Sequence, residues 1–153
     1  MRGLDRLLKF RQREIIWLGH DIFCISLRQQ ATDLALSLAA DWDLDAQVEV
    51  LNDPFFNSAP TANSCWQRGQ DLKFERRAAV EPGIHATPAR AVAAASFNLH
   101  GTYFGTAFDI TDHLDGPAFS GYASWGIERA ALAVCTQHGL APEGWSAALR
   151  PAD

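Results

Sequence analysis

The chain has 153 residues, 48 % hydrophobic and 20 % charged, which suits one compact domain or a piece of a larger one. Its net charge of −5 argues against a surface that grips polyphosphate backbones regardless of sequence. No apolar run approaches the roughly 18 residues that cross a bilayer and no signal-peptide core opens the chain, so a cytoplasmic protein with no membrane partner is expected.

In chain order, "EIIWLG" (14–19) is a short apolar, β-branched run that predicts a buried strand. "DIFCISLRQQATDLALSLAADW" follows, with Asp21 placed to cap a long amphipathic helix whose apolar positions include Ile22, Ile25, Leu34 and Leu38. "AQVEVLNDPFF" alternates through Val48 and Val50 as a strand closed by Asn52, Asp53 and Pro54. Residues 57–69 read as a loop. "DLKFERRAAV" (71–80) resumes strand alternation, and "EPGIHATPAR" is a second loop.

"AVAAASFNLH" and "GTYFGTAFDI" read as two extended segments, with Gly101 and Gly105 bringing backbone close to something else. "TDHLDGP" is a turn and "AFSGYASWG" a buried strand. "IERAALAVCTQHG" is a helix that stops at Gly139, and the tail is read as a short helix. Most strands lack intervening helices, which predicts an α+β domain with a largely antiparallel sheet. The three cysteines (Cys24, Cys65, Cys135) are far apart and form no C-x-x-C pair, so they read as reduced thiols.

Polar residues mark the candidate chemistry. Glu128 and Arg129 open a helix otherwise built to be buried. An Arg at such a junction can set a planar cation against a carboxylate, a phosphate or a purine, and Ala123, Ser124 and Gly126 leave room for a flat ligand. The same two residues also fit an ordinary surface pair. Lys73 and Glu75 share one strand face and fit a solvated same-face pair. Glu14 fits the polar end of a strand, paired with Arg11 or Arg13. Asn98 could cap a turn into His100 and Gly101, and His100 has no Cys, His or acid nearby at ligand spacing.

"GIERAALAV" resembles motif 3 of the class II aminoacyl-tRNA synthetases. "FRQREIIWLG", "VEVLNDPFF", "DLKFE", "SFNLHGTYFG" and "QHGL" resemble, in the same order, segments of one subgroup, the seryl-synthetase-like amino acid:carrier protein ligases. The resemblance implies a single, partial class II synthetase-like catalytic domain over residues 1–153, an antiparallel sheet flanked by helices. It implies an aminoacyl-adenylate made from ATP with Mg²⁺, and transfer of a small amino acid to the phosphopantetheine thiol of a carrier protein, not to tRNA. Homodimerisation is compatible with it. Carried over by position, Arg129 lies on the adenine and γ-phosphate side of ATP, with Glu128 beside it. Glu14 matches a carboxylate that helps to hold an amino-acid-binding zinc. Lys73, Glu75 and Asn98 line the pocket.

The departures weigh against full activity. The match begins inside motif 2, without counterparts of motif 1, of the Arg that grips the α-phosphate, or of the first zinc cysteine. Tyr122 stands at the place of the last zinc cysteine, and "RAVAAASFN" lacks the acid that usually holds Mg²⁺. A lone Glu14 cannot hold zinc, so no zinc site is expected. One positioned electrostatic group is often worth about 10² to 10³ in rate, so catalysis by this short chain is expected to be impaired. A non-catalytic binding module for a carrier protein, a nucleotide or another partner, and an α+β domain whose polar residues are merely surface, are the alternatives.

Overall fold

A computed structural model describes residues 7–50, 73–80 and 91–150. The elements are β1 (Gln12–Gly19), α1 (Asp21–Asp41), β2 (Ala46–Val50), β3 (Lys73–Ala79), β4 (Ala91–Gly101), α2 (Tyr103–Phe108), β5 (Phe119–Gly126) and α3 (Ile127–His138). Two 3-10 turns, Pro142–Gly144 and Ala147–Leu149, follow where a short helix was expected. The strands form one sheet in the order β1-β5-β4-β3-β2, and every neighbouring pair is antiparallel. The expected α+β class holds, with β3, β4 and β5 adjacent. The predicted loops at 57–69 and 81–90, the turn at 52–54 and Cys65 lie outside the described residues.

One face of the sheet carries the core. Trp17, Ala95, Phe97 and Ala123 pack with Cys24 and Ala35 of α1, while Ala78 and Ala94 meet Ala133 of α3. Alanine on both sides lets helix and sheet approach closely, and Phe97 supplies the bulk. It is fully buried, with its ring edge-to-face on Trp125 at 6.1 Å. Cys24 acts there as a small hydrophobe, its thiol pushed up in pKa chiefly by burial.

Arg76 lies on the same inner side, 1 % exposed, with Nη1 donating to Ala35 O at 3.4 Å and Nε unpartnered. Burial lowers its pKa. No sequence pattern announces an arginine there.

Three local expectations are corrected. β1 is a strand, but among the described residues an edge strand: only Trp17 of it is buried, while Ile15, Ile16 and Leu18 are exposed, Ile16 by 66 %. Apolar periodicity marks a strand without saying whether a neighbour covers it. In α1 the cap is His20, whose Nδ1 accepts from Phe23 N at 3.2 Å, whereas Asp21 accepts from Ile22 N. Its buried face is made of small residues, Cys24, Thr32, Ala35 and Ala39, and the larger Ile22, Ile25 and Leu34 point outward.

The third correction is 101–110, read as extended but containing α2. Gly101 ends β4 with φ of +58°. Phe104 and Phe108, four apart, then stack at 6.2 Å, which is helical spacing. Gly105 does bring backbone close, since a Cβ there would strike the Ala118 carbonyl oxygen; Gly101 has nothing within 4 Å.

Candidate active-site face

The register of the sheet assembles the site. One row of paired positions crosses all five strands: Glu14 beside Ser124, Ser124 beside Ser96, Ser96 beside Glu75, and Glu75 beside Glu49. The next row runs Ile16, Tyr122, Asn98 and Lys73. Side chains alternate along a strand, so these even-numbered positions of β1, β4 and β5 face away from the helices that cover Trp17, Phe97 and Ala123. At strand spacing, Glu14 and Glu75 stand about 14 Å apart across this face.

Burial and bonding differ along the rows. Asn98 is 7 % exposed and Ser124 2 %, and both Asn98 Oδ1 and Ser124 Oγ are buried without a hydrogen-bond partner. Buried polar atoms are usually satisfied, and these two, among several unsatisfied atoms of the described residues, belong to the polar face. Glu75 is half-buried and engaged elsewhere in the structure. Glu14 is exposed and carries no hydrogen bond or ion pair among the described residues. The pairing with Arg11 or Arg13 weighed for it is not made.

Arg11 is taken by Glu128 instead. Its backbone N donates to Glu128 Oε2 at 2.8 Å and its Nε to Oε1 at 2.9 Å. These bonds, the backbone one first, hold the Glu128 carboxyl below the usual glutamate range. Ile127 N adds a bond to Arg11 O at 3.0 Å, so the start of β1 is fastened to the start of α3.

Arg129 goes the other way. Gly126 continues the alternation of Tyr122 and Ser124, so a side chain there would stand on the polar face. Arg129 Cβ and Cδ pass 3.6 and 3.7 Å from the place its Cβ would occupy. The guanidinium then donates from Nη1 to Ala93 O at 3.1 Å and lies 5.6 Å from the Phe10 ring centre. The neighbouring acid and base therefore separate, Glu128 to a structural clasp and Arg129 to the head of the polar face.

At the opposite end, where β1, β5 and the irregular end of β4 meet α2, a groove of about 490 Å³ opens. Glu14, His100, Ser120 and Tyr122 form its polar side, and Ile16, Leu18, Phe104 and Phe108 its apolar side. His100 Nδ1 lies 3.0 Å from Ser120 Oγ, and its ring packs edge-on to Phe104 at 4.8 Å and tilted against Tyr122 at 5.5 Å. Burial lowers the His100 pKa, favouring the neutral ring. Among the described residues no group of three His, Cys, Asp or Glu could hold a metal ion.

Of the expected site residues, Glu14, Lys73, Glu75 and Asn98 fall on two adjacent rows, Arg129 heads the face, and Glu128 stands behind it. Phe104, Phe108 and Ser120 were not anticipated. The i, i+4 phenylalanines were the available signal for α2. His100 had been considered only as a metal ligand, and Tyr122 only as a substitution.

No protein-family model matches the chain. It is 32 % identical over 149 residues to amino acid–[acyl-carrier-protein] ligase 1 of Bradyrhizobium diazoefficiens, covering 97 % of this chain and 44 % of that protein. It is 31 % identical over 146 residues to the type-2 serine–tRNA ligase of Methanococcus maripaludis strain S2, covering 94 % and 28 %. Among solved structures, M. kandleri SerRS in complex with A. aeolicus tRNASec superposes with a TM-score of 0.77 at 21 % identity, over 94 % of this chain and 28 % of that one. The homologues are thus amino acid–[acyl-carrier-protein] ligases and type-2 seryl-tRNA synthetases, and the fold is that of the class II synthetase catalytic domain. The chain spans less than half the length of the curated relatives it matches.

Proposed function

We propose that the polar face binds ATP and an amino acid, as part of an ATP-dependent amino acid:[carrier protein] ligase. The observation that carries this reading is Arg129, led over Gly126 onto the face that also presents the unpartnered Asn98 Oδ1 and Ser124 Oγ. A planar cation at one end suits adenine and phosphate, and the carboxylate of Glu14 at the other suits an amino acid's ammonium. The about 14 Å between the Glu14 and Glu75 ends of the row accommodates both ligands side by side.

In the reaction so assigned, an amino-acid carboxylate oxygen attacks the α-phosphorus of ATP and pyrophosphate leaves. A phosphopantetheine thiol then attacks the aminoacyl carbonyl, losing its proton, and AMP departs. The residues of this chain bind and orient: Arg129 the nucleotide, Asn98 and Ser124 the polar groups between, Glu14 the ammonium. Lys73 and Glu75 flank them by register. ATP is expected with Mg²⁺. The acceptor is a carrier protein and not tRNA, the setting is cytoplasmic, and residues 1–153 act as one partial catalytic domain. Alone, the chain is expected to be a weak catalyst: this reading assigns one cation, Arg129, to the nucleotide, and each such group is worth about 10² to 10³ in rate.

Amino-acid-dependent exchange of labelled pyrophosphate into ATP tests the chemistry. Exchange slower than that of a full-length relative by about 10² or more is expected, and a matching rate would refute the impairment. The second reading, a module without chemistry, draws on the outward face of α1, where Ile22, Ile25, Leu34 and Leu36 are all exposed and suit a protein partner.

A further inference from the structure

We propose that the groove beside β1 takes its amino acid without a metal ion and selects one with a large apolar side chain. This deepens the reading above and rests on it for the ligand being an amino acid. The donor set does not fit zinc, which takes three or four ligands from cysteine, histidine or carboxylate. Among the described residues the lining supplies one carboxylate, Glu14, and one imidazole, His100, two such donors where zinc takes three or four. Tyr122 stands where the resemblance has a cysteine, and its ring is packed against His100 at 5.5 Å.

Among the described residues Glu14 is also the one charged group in the lining, and it has no partner there. A free carboxylate at the edge of an apolar groove calls for a cation. In an amino acid that cation is the ammonium, and the side chain must then lie along the remaining wall. That wall is Ile16, Leu18, Phe104 and Phe108, and Ile16, Leu18 and Phe108 are each more than 45 % exposed. An apolar side chain covers surface that is otherwise wet, whereas serine or glycine leaves it so. Of the two hydroxyls in the groove, that of Ser120 is bonded to His100, which leaves the Tyr122 phenol alone to repay a serine hydroxyl for its lost water.

The test is calorimetric titration of the chain with L-leucine, L-serine and glycine in EDTA, repeated with one equivalent of Zn²⁺. Leucine is expected to bind about tenfold or more tighter than serine or glycine, equally with and without zinc. Glu14→Gln, at an exposed edge position, should weaken leucine about tenfold. Phe108→Ala should weaken leucine several-fold and leave glycine unchanged. Equal affinities, a requirement for zinc, no binding, or an unaltered Glu14→Gln would each overturn the proposal. ATP titrated separately keeps the two readings apart. ATP binding without leucine preference overturns only this inference, and leucine binding without ATP binding overturns only the nucleotide assignment.

Discussion

Arg11 and Glu128, 117 residues apart in sequence, are joined by two bonds, one from the main chain and one from the side chain of the arginine. The clasp ties the entry of β1 to the helix whose next residue, Arg129, is turned onto the polar face. A motif that reads in one line as Glu-Arg therefore divides: the acid fixes the scaffold, and the base, bonded to Ala93 O at 3.1 Å, lies on the face proposed for the nucleotide.

This clasp is pH-dependent, with a defined sign. The folded state holds the Glu128 carboxyl below its ordinary range, so the stabilisation is fully present above about pH 4.5 and is lost as pH falls through the depressed folded value. NMR of the Arg11 amide should show an acid transition below pH 4.5 that is absent in Glu128→Gln. An Arg11 resonance that does not move, or that moves equally in the variant, would contradict the assignment.

The close approach of β4, β5 and β1 depends on Gly121. A Cβ at that position would stand 2.6 Å from both Asn98 O and Trp17 Nε1, neither of which can withdraw without disturbing the sheet or the core. Gly121→Ala is expected to destabilise the fold by about 1–3 kcal/mol, measured by urea unfolding. An unchanged midpoint would mean that the sheet and Trp17 adjust more freely than this packing allows.

Gly105 should act more locally. A Cβ there runs into the Ala118 carbonyl and lies 2.7 Å from Ala118 N, so Gly105→Ala has to lift α2 from β5. Hydrogen exchange at Thr106 N, which is bonded to Thr102 O at 2.8 Å, is expected to accelerate by tenfold or more, with global stability falling by only about 1–3 kcal/mol. Unaltered protection would show that α2 does not depend on this contact.

Much of the architecture was legible because periodicity and punctuation agree with it. Alternation through Phe74, Phe97 and Ala123 marks central strands, and Gly139, with φ of +84°, ends α3 where the pattern stops. Periodicity does not say which strand lies at an edge, so it predicts Ile16 as buried. It also misses a helix as short as α2, whose apolar residues interrupted by Gly105 pass for a strand. The site residues were named through family resemblance, and their meeting on one face rests on register. The pairing of Glu14 with Ser124, and of Asn98 with Tyr122, follows from strand order and register, which no local pattern encodes.

Titration calorimetry with ATP and Mg²⁺, on the chain and on Arg129→Ala, tests the proposed place of Arg129 at the head of a nucleotide-binding face. Loss of this charge-assisted partner should weaken ATP by about tenfold or more, with the unfolding midpoint of the variant near that of the parent. Equal ATP affinity in the two proteins, or no ATP binding by the parent, would contradict it.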